Sequence, residues 1–164
     1  MESGSDARHR LVLGHYRPFR LDRRLGHERS LHSLHGGNML RDAKLLAFAA
    51  TTDSARAAAF YGNVLGLPVR SDDEFAIVFD AAGTELRLQK VERFTPQPFT
   101  TLGWQVANVR DVLRVLASRG VVPERYPWLE QDAAGVWSAP SGAQVAWFTD
   151  PDGNLLSVAE YPAD

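Results

Sequence analysis

The sequence predicts an α+β protein made of one unit used twice: a strand, a helix, then several more strands. Three observations carry this. The stretch WFTDPDGNLLSV, Trp147 to Val158, is an apolar run, a turn and a second apolar run, the pattern of a β-hairpin. In its turn Pro151 presets φ, Asp150 and Asp152 can bond their own backbone, and Gly153 can take positive φ. A weaker copy, VFDAAGTELRLQ, runs from Val78 to Gln89; aligned on Gly83 and Gly153, Leu86 meets Leu156 and Leu88 meets Val158. Upstream of each hairpin lies a β-like run followed by a helix start, and repetition at such a period marks a duplication.

Each element has a local reason. KLLAFAATT, Lys44 to Thr52, reads as a buried strand with Ala47 and Ala49 on one face and Leu46, Phe48 and Ala50 on the other. Asp53 then caps the helix SARAAAFYGNVLG, since a short side-chain oxygen can accept from the free amides of the first turn. Gly66 and Pro68 end it, and Ala55, Ala58, Ala59 and Gly62 form a stripe small enough for close packing on a sheet. Strands follow at Phe75 to Phe79 and Thr84 to Val91, and Thr95 to Phe99, with two prolines, is a linker. The second unit repeats the scheme: a strand at Thr100 to Ala107, Asn108 as cap, a helix over Val109 to Ser118, and Gly120 with Pro123 as terminator. Strands are then expected in GVWSAP, QVAWF and NLLSVAEY, after a polar, aromatic loop from Glu124 to Gly135 that can close one end of a pocket.

Composition narrows the function. At 164 residues the chain can bury a core, and its net charge of −2 suggests neither a nucleic-acid nor a membrane-surface partner. The absence of cysteine removes disulfides, thiolate metal sites and a cysteine nucleophile together. No apolar run approaches the roughly 20 residues that span a bilayer, so a cytoplasmic location is expected. Residues 1–38 differ in kind: up to Arg41 the chain has eight arginines against four acids, and all five histidines (His9, His15, His27, His32, His35) lie there. The expectation is a poorly ordered arm, or a segment preceding a start at Met39, ahead of a domain over 39–164.

Asp53 with Phe60-Tyr61 and Leu65-Gly66, then Gly103-Trp104, then Asp150-Pro151-Asp152-Gly153-Asn154 form an ordered set on this duplicated frame. Together they resemble the vicinal oxygen chelate superfamily, which holds glyoxalase I, bleomycin-resistance proteins and extradiol dioxygenases. The resemblance covers roughly residues 42–162 and implies two tandem βαβββ modules, about 42–94 and 100–162 with a linker at 95–99. It further implies curved mixed sheets facing each other around a cleft, and makes a homodimer plausible.

In the superfamily's metal enzymes the ligands come from equivalent strand positions of the two modules. The family pattern puts one seven residues before each helix cap, here Leu46 and Thr101, and one four after each hairpin glycine, here Arg87 and Ser157. Leucine, arginine, threonine and serine do not hold Zn²⁺, Ni²⁺ or Fe²⁺ as a set, which needs imidazole, thiolate or carboxylate. No metal and no other cofactor is therefore expected.

Strand parity turns Phe48, Arg87, Gln89, Gly103, Gln105, Trp147 and Ser157 toward the implied cleft. Aromatic walls, a cation and amides suit an aromatic or anionic ligand, with Arg87 pairing a carboxylate or phosphate. Plainer roles stand beside these: Phe48 and Trp147 as core, and Arg87 paired only with Glu85. Trp104 and Trp137 fit core or cleft equally. Trp128, a large aromatic in a polar loop, is the better candidate contact. The loop groups Glu124, Tyr126, Glu130 and Asp132 are candidates for acid–base work but have no partner set by spacing.

Three functions remain. The favoured one is a metal-independent small-molecule-binding protein resembling bleomycin-resistance proteins, with no nucleic-acid or membrane partner, and leaning away from an enzyme. The alternative is a lyase or dioxygenase whose ligands have moved to carboxylates such as Glu85 and Glu160. The third is an interaction module whose cleft is filled by its own side chains.

Overall fold

Helix capping follows the sequence closely. Asp53 Oδ1 accepts from Arg56 N at 3.0 Å and Asn108 Oδ1 from Asp111 N at 2.9 Å, each satisfying an amide that a first turn leaves open. These contacts come from a computed structural model that describes Leu40 and residues 43–163; the expectations for the 1–38 arm lie outside the described residues. Helix α1 is Ser54–Ala58 and helix α2 is Val109–Ser118. None of the helices in the described residues is long and apolar enough to cross a membrane.

The strands are β1 Leu46–Thr51, β2 Val69–Asp72, β3 Ala76–Ala81 and β4 Thr84–Lys90, then β5 Thr100–Gln105, β6 Trp137–Ser138, β7 Gln144–Thr149 and β8 Leu155–Glu160. They form two four-stranded mixed sheets with the orders β1-β4-β3-β2 and β5-β8-β7-β6. In each sheet the first strand runs parallel to the last and the remaining pairs are antiparallel, so the chain holds two βαβββ modules. The duplication reaches the register: Phe48 pairs with Arg87 as Gly103 pairs with Ser157, each five before a helix cap and four after a hairpin glycine.

The two modules share one core. Ala49, Ile77, Phe79, Leu86 and Leu88 from the first sheet meet Ala146, Phe148, Leu156 and Val158 from the second. Ala57, Phe60, Tyr61, Val109, Leu113 and Leu116 cover them from the helices. Helices thus cover one face of each sheet, and the other face mixes exposed residues such as Phe48 with buried ones, Val78 and Ser157.

Two expectations need correcting. The small-residue stripe packs only through Ala58: Ala55 and Ala59 are exposed, nothing crowds Gly62, and the residues buried in the core are Ala57, Phe60 and Tyr61. The reason is a competing stripe: Ala57, Phe60, Tyr61 and Val64 recur at i, i+3, i+4 and i+7 and offer far more apolar area than the small residues. Past Ala58 the helix widens into a π-helical turn, Ala59–Val64, with Leu65 N donating to Phe60 O at 2.9 Å. In addition, β2 was not anticipated, because VRSD is polar and fully exposed at a sheet edge.

The hairpin turns do different work. Ala82 and Gly83, at φ 52° and 90°, make a two-residue turn between β3 and β4 that needs left-handed backbone at both positions. The DPDGN turn is longer and joins the modules. Asp150, only 5 % exposed, accepts from Tyr61 Oη at 2.9 Å, Asn154 Nδ2 at 2.7 Å, Asp152 N at 2.9 Å and Asn154 N at 2.8 Å. Asp152 accepts from Thr52 N at 2.9 Å and from the hydroxyls of Thr51 and Thr52, both at 2.7 Å. Asn154 donates to Ala50 O at 2.9 Å. A motif that reads as a turn therefore clasps β1 and the helix of the other module.

That environment shifts two groups. Burial first, then the Asp150 charge, pushes the Tyr61 hydroxyl far above its ordinary value, so it stays a donor. For Asp152 burial alone favours the neutral form, yet the Thr52 and Thr51 bonds and Arg56 hold its carboxyl below the usual range.

Candidate functional site

The open faces of the sheets carry the residues the sequence singled out. Parity puts Leu46, Phe48, Glu85, Arg87, Gln89 and Val78 on the face of the first sheet opposite the core. Phe48, 47 % exposed, lies across from Arg87, with Val78 on the far side of Arg87. Arg87 Nη1 donates to Glu85 Oε1 at 2.7 Å, so its charge already has a partner on the same strand. Gln89 is exposed.

On the second sheet Gly103, Ser157 and Trp147 lie in one row across β5, β8 and β7. Ser157 is buried, and a Cβ on Gly103 would stand 2.7 Å from its Oγ, so glycine makes room for that hydroxyl. Trp147 is half-buried and its Nε1 donates to Thr100 Oγ1 at 3.1 Å. Gln105 is exposed. Trp104 packs against the core, whereas Trp137 comes to the open face beside Trp147.

The loop Glu124–Val136 extends this row. Gln131 braces it, accepting from Tyr126 N at 2.8 Å and donating to Glu124 O at 3.0 Å and Gly135 O at 2.8 Å. Asp132 accepts from Ala134 N and Val136 N and pairs with Arg110 at 2.5 Å; Arg125 donates to the carbonyls of Asp132 and Ala133. Glu124 N donates to Trp147 O at 2.7 Å, which anchors the loop on β7. So held, the loop stacks Trp128 on Tyr126 (centroids 5.2 Å) and sets Tyr126 edge-on to Trp147 (5.8 Å), which meets Trp137 at 6.1 Å. Four aromatic rings form a continuous row ending in Trp128, 70 % exposed. Burial, with help from the Glu124 charge, raises the Tyr126 hydroxyl above its ordinary value. Tyr126 is therefore a neutral wall and hydrogen-bonding group at neutral pH, not a base.

The sequence had Trp128, Trp147 and Trp137 as separate candidates; the loop fold brings them together and adds Tyr126 as the link. A depression of about 640 Å³ at the module junction, between Phe60, Val121, Pro123 and Pro151, reaches Glu124 and Thr149 at the inner end of the loop but none of the aromatic rings.

Leu46, Arg87, Thr101 and Ser157, the positions expected from the family pattern, carry no imidazole, thiolate or carboxylate. Thr101 falls at a break in the β5–β8 register. Nor do the carboxylates converge: Glu85 is taken by Arg87, and Glu160 accepts from Val109 N at 3.0 Å, at the start of α2. Among the described residues no three His, Cys, Asp or Glu side chains come together as a metal-binding group.

Comparison with known proteins agrees with this architecture. Residues 45–158 match the model of the Glyoxalase/Bleomycin resistance protein/Dioxygenase superfamily, and the chain belongs to that superfamily. Solved structures with the same fold include a bleomycin resistance determinant encoded on the transposon Tn5, at 19 % identity and TM-score 0.59, covering 73 % of this chain and 98 % of that one. Others are a glyoxalase/bleomycin resistance protein/dioxygenase from Alicyclobacillus acidocaldarius (18 %, TM-score 0.58, 75 % and 94 % covered) and a lactoylglutathione lyase from Agrobacterium tumefaciens (16 %, TM-score 0.57, 73 % and 96 % covered). No curated protein matches the chain in sequence.

Proposed function

We propose that this protein binds a flat organic ligand against the open faces of its sheets, without a metal, in the manner its resemblance to bleomycin-resistance proteins suggests. The observation that carries this reading is what the sheet faces opposite the core present. They carry Phe48, Trp147 and the loop aromatics, and the positions the family pattern would give to metal ligands hold leucine, arginine, threonine and serine. Such a surface offers stacking area and hydrogen bonds but no Lewis acid and no paired acid and base. Of an aromatic and an anionic ligand, the aromatic one is favoured, because Arg87 is already neutralised by Glu85. Gln89, Gln105 and Ser157 supply the polar contacts. A homodimer is part of the proposal: Leu46, 46 % exposed, is apolar surface that a second copy would cover.

The test is elemental analysis of untagged protein, beside the same chain with the five arm histidines replaced by alanine, followed by a thermal-shift screen with flat aromatic compounds. Expected are substoichiometric transition metal in the histidine-free chain and stabilisation by aromatic ligands that Trp147→Ala abolishes. Stoichiometric metal in that chain, with activity lost to a chelator, would restore a lyase or dioxygenase reading.

A further inference from the structure

The aromatic row reached by loop Glu124–Val136 has a carboxylate, Glu124, at the inner end of that loop. Trp128, Tyr126, Trp147 and Trp137 present π faces, which carry the negative part of the ring quadrupole and attract a cation within about 6 Å of a centroid. Glu124 sits at the inner end of the loop. Its amide is tied to Trp147 O, its carboxylate accepts from the Thr149 hydroxyl at 3.3 Å, two residues along β7 from Trp147, and its charge reaches the Tyr126 hydroxyl. The neighbouring cations are engaged elsewhere: Arg119, which shares the junction depression with Glu124, on the Asn63 and Val64 carbonyls, Arg125 on the Asp132 and Ala133 carbonyls, Arg110 on Asp132, and Arg87 on Glu85. The row thus has a carboxylate next to it and no cation turned toward it among these neighbours.

We propose that loop Glu124–Val136 is the specificity element of the site and selects a flat aromatic cation, held by stacking on Trp128 and Trp147 and by the Glu124 charge. This rests on the reading that the open sheet faces bind a ligand, and narrows the ligand to one sign of charge. Trp128 supplies the outer stacking face, Tyr126 links it to the sheet, and Glu124 sets the preference for positive charge. The internal bracing of the loop by Gln131 and Asp132 means the row stands ready before the ligand arrives, so little ordering cost opposes binding.

The experiment titrates the full chain with N-methylquinolinium and with 2-naphthoate, bicyclic probes of similar shape and opposite charge, at low salt. Binding is read by calorimetry and by tryptophan fluorescence, for which three of the four tryptophans lie in the row. Expected is binding of the cation about tenfold tighter than the anion. Trp128→Ala should weaken the cation about tenfold with the circular dichroism spectrum unchanged, since that ring is exposed. Glu124→Gln should cut the preference for the cation by about threefold or more. Equal affinity for both probes, preference for the anion, or a preference untouched by Glu124→Gln overturns the proposal. If 2-naphthoate is the tighter ligand and Trp147→Ala abolishes its binding, only the cation preference falls and the sheet-face site stands. Binding of neither probe counts against both.

Discussion

Tyr61→Phe isolates the clasp between the modules. The ring is fully buried between Phe60 and Phe79, and phenylalanine keeps those contacts; only the hydroxyl that donates to Asp150 Oδ2 at 2.9 Å is lost. A hydrogen bond to a charged acceptor contributes about 1.5–3 kcal/mol, more than a neutral one. Asp150 keeps its other three donors, so the loss should fall toward the middle of that range, about 2 kcal/mol. Urea unfolding followed by circular dichroism measures this directly. A lower midpoint with unchanged m reports lost stability without a change in the surface exposed on unfolding. Asp150→Asn and the double variant complete a cycle, whose coupling should exceed about 0.5 kcal/mol because the two groups touch. The alkaline limb gives a second reading. The folded Tyr61 value lies above the unfolded value of about 10, so its contribution is full below pH 10 and declines as pH rises past it. Tyr61→Phe should flatten that decline. A cost below about 0.5 kcal/mol, typical of a neutral surface change, with no coupling to Asp150, would refute the idea that this bond joins the modules.

Two further outcomes follow from the same contacts. Asp152 has a folded value below the unfolded one of about 3.9, so its stabilisation is full above that pH and lost as pH falls through the lower folded value. Asp152→Asn should therefore lower stability at neutral pH and shrink the acid-induced loss below about pH 4, as acid unfolding curves would record. Gly103→Ala would bring a methyl to 2.7 Å from Ser157 Oγ and should cost about 1 kcal/mol or more in urea unfolding. Adding Ser157→Gly removes the clash and should recover part of the midpoint; no recovery would place the cost elsewhere.

What local chemistry governs was legible in the chain. Asp53 and Asn108 cap helices because a short acceptor before an apolar run satisfies open amides wherever it occurs, and α2 spans Val109–Ser118 as its pattern predicts. Gly83 and Gly153 mark hairpins because their backbone is left-handed, and period-two parity then puts Phe48 with Arg87, and Trp147 with Ser157, on shared faces. The Glu85–Arg87 pair, two residues apart on one strand, was readable for the same reason. Tertiary structure decided the rest. Two stripes of equal helical spacing competed on the first helix, and burial went to Ala57, Phe60 and Tyr61 because they offer more apolar area than the alanine stripe. The DPDGN motif became a clasp only because Asp150, Asp152 and Asn154 meet Tyr61, Thr51, Thr52 and Ala50 about a hundred residues away in sequence, a distance no local pattern spans. Likewise, Trp128 joins Trp147 through Tyr126 because Gln131 and Asp132 fold the loop back on itself, so the row is a product of the loop's hydrogen bonds and not of any spacing between its tryptophans.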